Sequence, residues 1–136
     1  MTHALHARPM PVGIAALLFL LLLPLPVVTP SQAAAAGDGE TLFRQQCGTC
    51  HTVKKDEGAR AGPPLYGVLG RKAGTAADFE YSDALRRAGF TWDAGHLERW
   101  LTNSNDFLPG SYMNYRQEDD AVRQGIIRFL QSNAAK

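Results

Sequence analysis

Apolar residues are distributed unevenly along this chain. Ten of them run without interruption from Ile14 to Leu23. Before them stand Arg8, two histidines and no acid, and after them Pro24, Pro26 and Pro30 break any helix. A small-residue run, Ala33 to Ala36, follows. A basic start, a short apolar core and an A-x-A end are the marks of a secretory signal peptide. Residues 1–36 are therefore expected to be an export segment. Ala34 and Ala36 fit the cleavage pattern and leave Gly37 first, although a cut one or two residues earlier fits nearly as well. The alternative is an uncleaved anchor. The stretch Val12 to Val28, 17 residues with two prolines inside it, sits at the lower edge of spanning length, so cleavage is favoured. Either way the remainder is expected outside the cytoplasm.

Beyond residue 36 the apolar positions take up helical spacing. Asp38 can cap a first helix running to about Gly48, with Gly39, Leu42 and Phe43 along it. Residues 52–78 carry many glycines and prolines and no strand alternation. Ser82 can cap a short helix to about Ala88, stopped by Gly89. Asp93 can cap another to about Asn103, in which Leu97, Trp100 and Leu101 fall at i, i+3 and i+4. The last helix is expected from about Glu118 to Ser132, with Val122, Ile126, Phe129 and Leu130 on one face. The pattern predicts an all-α domain over 37–136, about four helices joined by long loops. Loops this long in so small a domain need something other than each other to wrap.

Charge removes one class of partner. None of the 13 acids and only Arg8 of the 14 bases precede residue 37, so the domain carries no formal net charge. Nucleic-acid binding would show as a basic excess. There is no internal repeat, low-complexity tract or interior linker. The chemistry-bearing residues are few. The chain has two cysteines, Cys47 and Cys50, and beyond residue 36 it keeps only His51, His96 and Met113 of its histidines and methionines.

Cys47-Gly48-Thr49-Cys50-His51 has the pattern C-x-x-C-H of a c-type haem attachment site. Two thiols at that spacing can each form a thioether to a haem vinyl group, and the adjacent histidine can ligate the iron. Three rival readings exist: a zinc site, a dithiol redox pair and two ordinary cysteines. Zinc needs four ligands, and no second C-x-x-C or H-x-x-x-H supplies them. A redox dithiol expects a strand–turn–helix context, and none precedes the motif. Small haem electron carriers need a second axial ligand, and methionine there raises the potential. Met113 lies in the turn-rich stretch Leu108-Pro109-Gly110-Ser111-Tyr112-Met113-Asn114-Tyr115, unlike a gap-filling core methionine. His96, at the start of a predicted helix, is the rival ligand.

Several segments fall in one order: Gly39, Phe43, Cys47-x-x-Cys50-His51, then Gly62-Pro63-x-Leu65-x-Gly67-x-x-Gly70-Arg71-Lys72. Phe79-x-Tyr81-Ser82-x-Ala84, Trp92, Leu97 with Leu101, Pro109-Gly110-x-x-Met113 and Phe129-Leu130 follow. With these, residues 37–133 resemble a class I mono-haem cytochrome c of the mitochondrial and bacterial type. The resemblance implies a fold wrapped around one covalent haem c, held by Cys47 and Cys50 and ligated by His51 and Met113. It implies that the carbonyl of Pro63 accepts from the second His51 nitrogen. Arg71, Tyr81, Trp92 and Ser111 match positions that hydrogen-bond or neutralise the haem propionates, whose burial without partners would be costly. Ser82 and Trp100 are further haem contacts on the same matching. Gly39 with Phe43, against Phe129, matches a close crossing of the first and last helices.

Three departures stand out. Trp100 occupies a position usually held by tyrosine near the methionine sulfur, and an indole N–H donates but cannot accept. Leu85 replaces a usual polar residue beside an internal water, which suggests a drier pocket. No lysine ring surrounds the methionine loop: after residue 90 there are five bases and six acids, among them Asp106 and Glu118-Asp119-Asp120. The expected function is one-electron shuttling by a monomeric periplasmic carrier between redox protein partners, with no substrate transformed. Nucleic acid is not a partner, and membrane contact is expected only through those partners or an uncleaved N-terminal segment. One alternative is a haem subunit bound permanently to one oxidoreductase, which would expose an apolar patch. Another is a gas-binding or peroxidase-like protein, which needs an open sixth position on the iron.

Overall fold

The structure is a computed structural model and describes Met1 and residues 32–134. The expected export segment lies, through Ser31, outside the described residues. Five helices follow: α1 (Gln32–Gln46), α2 (Asp83–Arg87), α3 (Ala94–Thr102), α4 (Ser104–Phe107) and α5 (Asp120–Ala134). Among the described residues the only strand-like pairings are two isolated bridges, Lys72 with Thr91 and Asn103 with Arg116. The all-α expectation holds. No helix among the described residues is long and apolar enough to cross a membrane.

The caps expected for α2 and α3 are present. Ser82 Oγ accepts from the Leu85 N–H, and Asp93 Oδ1 from the His96 N–H. The first helix differs. Asp38 lies inside α1 rather than capping it, because the alanine run before it is the strongest helix former available. The last helix starts two residues later than Glu118, where Asp119 Oδ1 accepts from the Ala121 N–H at 2.8 Å. The extra helix, α4, is a single turn. Asn103 ends α3 and caps α4, its side-chain oxygen accepting from the N–H groups of Asn105 and Asp106.

The framework that positions the site is the crossing of α1 with α5, with α3 packed on α5. A Cβ on Gly39 would come within 2.5 Å of the Gly125 carbonyl oxygen, so backbone meets backbone there. Phe43 and Phe129 pack beside the crossing with ring centroids 5.4 Å apart. Ile126, Ile127 and Leu130 are buried beneath it, and Ile127 broadens the apolar face expected for this helix. Burying a side chain such as Ile126 contributes about 1.5–3 kcal/mol. Arg123 of α5 ties down α3 through Glu98, at 2.6 Å.

The long segment between α1 and α2 is irregular but not loose. Thr52, almost fully buried, donates to the carbonyls of Glu57 and Gly58. Gly62 N–H donates to the Cys50 carbonyl, and Leu65 N–H to that of Thr52. Gly70 N–H donates to the Trp92 carbonyl, and Trp92 N–H to that of Arg71. These bonds fold the segment back over the end of α1, leaving space between it and the helices.

Candidate functional site

That space is a cavity of about 350 Å³, within the range of cofactor sites. Cys47, Cys50 and His51 enter its wall where α1 ends. Cys47 is buried and Cys50 exposed. Burial, helped by Cys50, pushes the Cys47 thiol up to about 12. A redox dithiol needs the reverse, a lowered thiol at a helix N-terminus. Here the pair sits at a C-terminal end, where the helix dipole disfavours a thiolate. A zinc reading fares no better: among the described residues no three His, Cys, Asp or Glu side chains are grouped to hold a metal.

His51 is oriented from behind. Its Nδ1 lies 2.8 Å from the Pro63 carbonyl oxygen. A carbonyl can only accept, so Nδ1 carries the hydrogen and Nε2 keeps a free lone pair. Burial lowers the His51 pKa, against the opposing pull of the Pro63 hydrogen bond, and favours the neutral ring. A Cβ on Gly62 would collide with this ring, so glycine is required for the close approach.

The second ligand candidate comes from the other end of the sequence. Met113 lines the same cavity, and its Sδ accepts a hydrogen bond from Trp100 Nε1 at 3.2 Å. The departure from tyrosine thus leaves a donor facing the sulfur. His96, the rival ligand, does not line the cavity. Its ring stacks on Phe90 with centroids 4.5 Å apart, and its Nδ1 lies 2.9 Å from Asp93 Oδ1 without the geometry of a hydrogen bond.

Of the remaining expected contacts, Pro63, Tyr81, Ser82, Trp92 and Trp100 line the cavity. Arg71 and Ser111 do not. Arg71 Nη2 donates to the Pro64 carbonyl at 2.7 Å, and burial lowers its pKa while nearby Tyr81 opposes that. Burial raises the Tyr81 phenol, countered by the Ala76 backbone and the Arg71 charge. Ser111 Oγ reaches the Met113 carbonyl at 3.3 Å and so acts on the loop. Leu85 is on the wall and buried, in line with a drier pocket.

Two features escaped the sequence. Leu65 and Val68 form apolar wall from a stretch legible only as loop. Ser104, fully buried in α4, bonds the methionine loop, and its only sequence signal is the polar cluster Asn103-Ser104-Asn105-Asp106, a helix-start composition.

Two thiols, a neutral imidazole with a free nitrogen and a thioether therefore share one apolar cavity, a donor set that fits a covalent haem. Comparison with known proteins agrees. Residues 36–134 match the family model described as Cytochrome c. The chain belongs to the cytochrome c family. A cytochrome c of Chlamydomonas reinhardtii is 42% identical over 106 residues, covering 75% of this chain and 95% of its own. One from Gibberella zeae is 39% identical over 103 residues, covering 73% and 97%. One from Theileria parva is 38% identical over 101 residues, covering 72% and 85%. As a cytochrome c, this protein is an electron-transfer haem protein with one covalently attached haem c.

Proposed function

We propose that this cytochrome c is an exported, periplasmic, monomeric carrier that shuttles one electron between respiratory or dehydrogenase partners. Its iron ligands would be His51 and Met113, and its thioether attachments Cys47 and Cys50. The observation that carries the reading is the shared cavity wall, where His51 presents a lone pair set by Pro63 and Met113 presents a sulfur set by Trp100. Bound there, haem supplies a one-electron ferric/ferrous couple. The chain's own residues hold both ligands at fixed angles, exclude water through the apolar wall and keep His51 neutral. Half-buried Arg71 would neutralise, and buried Tyr81 beside it would hydrogen-bond, the haem propionates. Export rests on the segment 1–36.

Partners are expected to dock beside the methionine loop. Tyr112 is 76% exposed there and also borders the cavity. Among the described residues it is the one strongly exposed aromatic, which suits a transient encounter better than permanent assembly. The test is fractionation followed by acid–organic extraction. The protein should appear in the periplasmic fraction, begin near Gly37 and keep its haem on the polypeptide. Haem released into the organic phase, with two titratable thiols left behind, would overturn the reading.

A further inference from the structure

Ser104 is fully buried, although it lies in a single-turn helix at the surface end of α3. Its hydroxyl oxygen is 2.8 Å from the Met113 carbonyl oxygen and 3.2 Å from that of Tyr115, so its one proton serves those acceptors. The same oxygen accepts from the Tyr115 N–H at 2.9 Å. The Ser104 backbone N–H donates to the Tyr115 carbonyl at 3.0 Å. On either side of it, Asn105 Nδ2 donates to Asn114 Oδ1, and Asn103 bridges to Arg116. The loop from Met113 to Arg116 is therefore fastened to α4 along its length, with one buried hydroxyl at the centre of the seam.

We propose that Ser104 is a positioning residue, a latch that holds the Met113 loop closed and sets how readily outside ligands displace the methionine from iron. This rests on the reading that Met113 is the iron ligand. Trp100 holds the side chain at its sulfur, and Ser104 holds the backbone of the same residue. Swinging the loop away breaks the hydroxyl's bonds to the Met113 and Tyr115 backbones at once. Removing the hydroxyl leaves the part-buried Tyr115 N–H without its partner, and the Met113 carbonyl with only Ser111, in the closed state. The closed state then loses its advantage over the open one. A ligand that binds only the open state gains apparent affinity by the factor by which the open population grows.

The test uses the ferric holoprotein with imidazole as the competing ligand. Ser104→Ala should bind imidazole about tenfold more tightly than the unaltered protein, the factor expected for losing the part-buried bonds of one hydroxyl. Its spectrum without imidazole should be unchanged. Ile127→Ala, which hollows the core beside α1 and lines no part of the cavity, should lower thermal stability and leave imidazole affinity alone. Unchanged affinity in Ser104→Ala, or an equal gain in Ile127→Ala, overturns the latch. Met113→Ala should bind imidazole more tightly than either. If it binds no more tightly than the unaltered protein, the ligation reading fails, and amide hydrogen exchange at Tyr115 decides the latch independently. That amide should exchange about tenfold faster in Ser104→Ala; an unchanged rate overturns the proposal.

Discussion

The two sides of the cavity are built in different ways. The His51 side is local: both thiols and the imidazole lie within five consecutive residues at the end of α1, and Pro63 is brought in by a short folded segment. Once thioethers form, that side is joined to the cofactor by covalent bonds. The Met113 side is assembled from α3, α4 and the following loop, and is held by individual hydrogen bonds from Trp100, Ser104 and Ser111. Each such bond contributes only about 0.5–1.5 kcal/mol. If Met113 is the iron ligand as proposed, one side of the protein keeps the cofactor and the other controls its sixth coordination position, and the second is the tunable one.

Substitutions should separate these roles. The largest effect is expected from His51→Ala. It removes the ligand beside the attachment thiols, and little or no covalent holoprotein should accumulate, measured as haem retained on the denatured chain. Met113→Ala should keep its covalent haem but lose sixth-position control. Its potential should fall by ~0.1 V or more, within the span of about 0.8 V that axial ligands command. Retention of the wild-type potential and spectrum would show that another group ligates the iron. Trp100→Phe is a smaller change. The indole N–H draws electron density from the sulfur and favours the ferrous state. Its loss should lower the potential by a few tens of millivolts, equivalent to about 1 kcal/mol. A rise, or a loss of thioether ligation, would mean that the indole acts sterically. The smallest effect concerns the docking face on the Met113 side. With Tyr112 there and no lysine ring, electron transfer to an acidic-faced oxidase domain should change less than about threefold from low to physiological ionic strength. A drop of about tenfold or more would reveal a basic patch assembled in three dimensions.

The same contrast explains what could be read from the sequence. Cys47, Cys50 and His51 form a contiguous motif, so the covalent side is legible from five letters. Ser82 and Asp93 announce α2 and α3 because a cap is a local device, one oxygen reaching a backbone N–H three residues on. The start of α1 was not legible at Asp38, because cap preference and the propensity of Ala33–Ala36 compete and propensity extends the helix. Four-residue α4 offers no period to detect, and Asn103 serves two helices at once. The role of Ser104 depends on a loop nine to eleven residues away folding back over it. Likewise the hydrogen bonds of Arg71 to the Pro64 carbonyl and of Ser111 to the Met113 carbonyl come from local chain folding that no motif announces.

One covalent haem held between His51 and Met113 would leave an optical signature. The most direct test is the optical spectrum of the purified ferric protein at neutral pH, followed to long wavelength. A low-spin spectrum is expected, with a weak long-wavelength thioether-to-iron charge-transfer band that Met113→Ala abolishes and imidazole bleaches. A high-spin spectrum without that band, from a protein whose ferrous form takes up carbon monoxide readily, would contradict it.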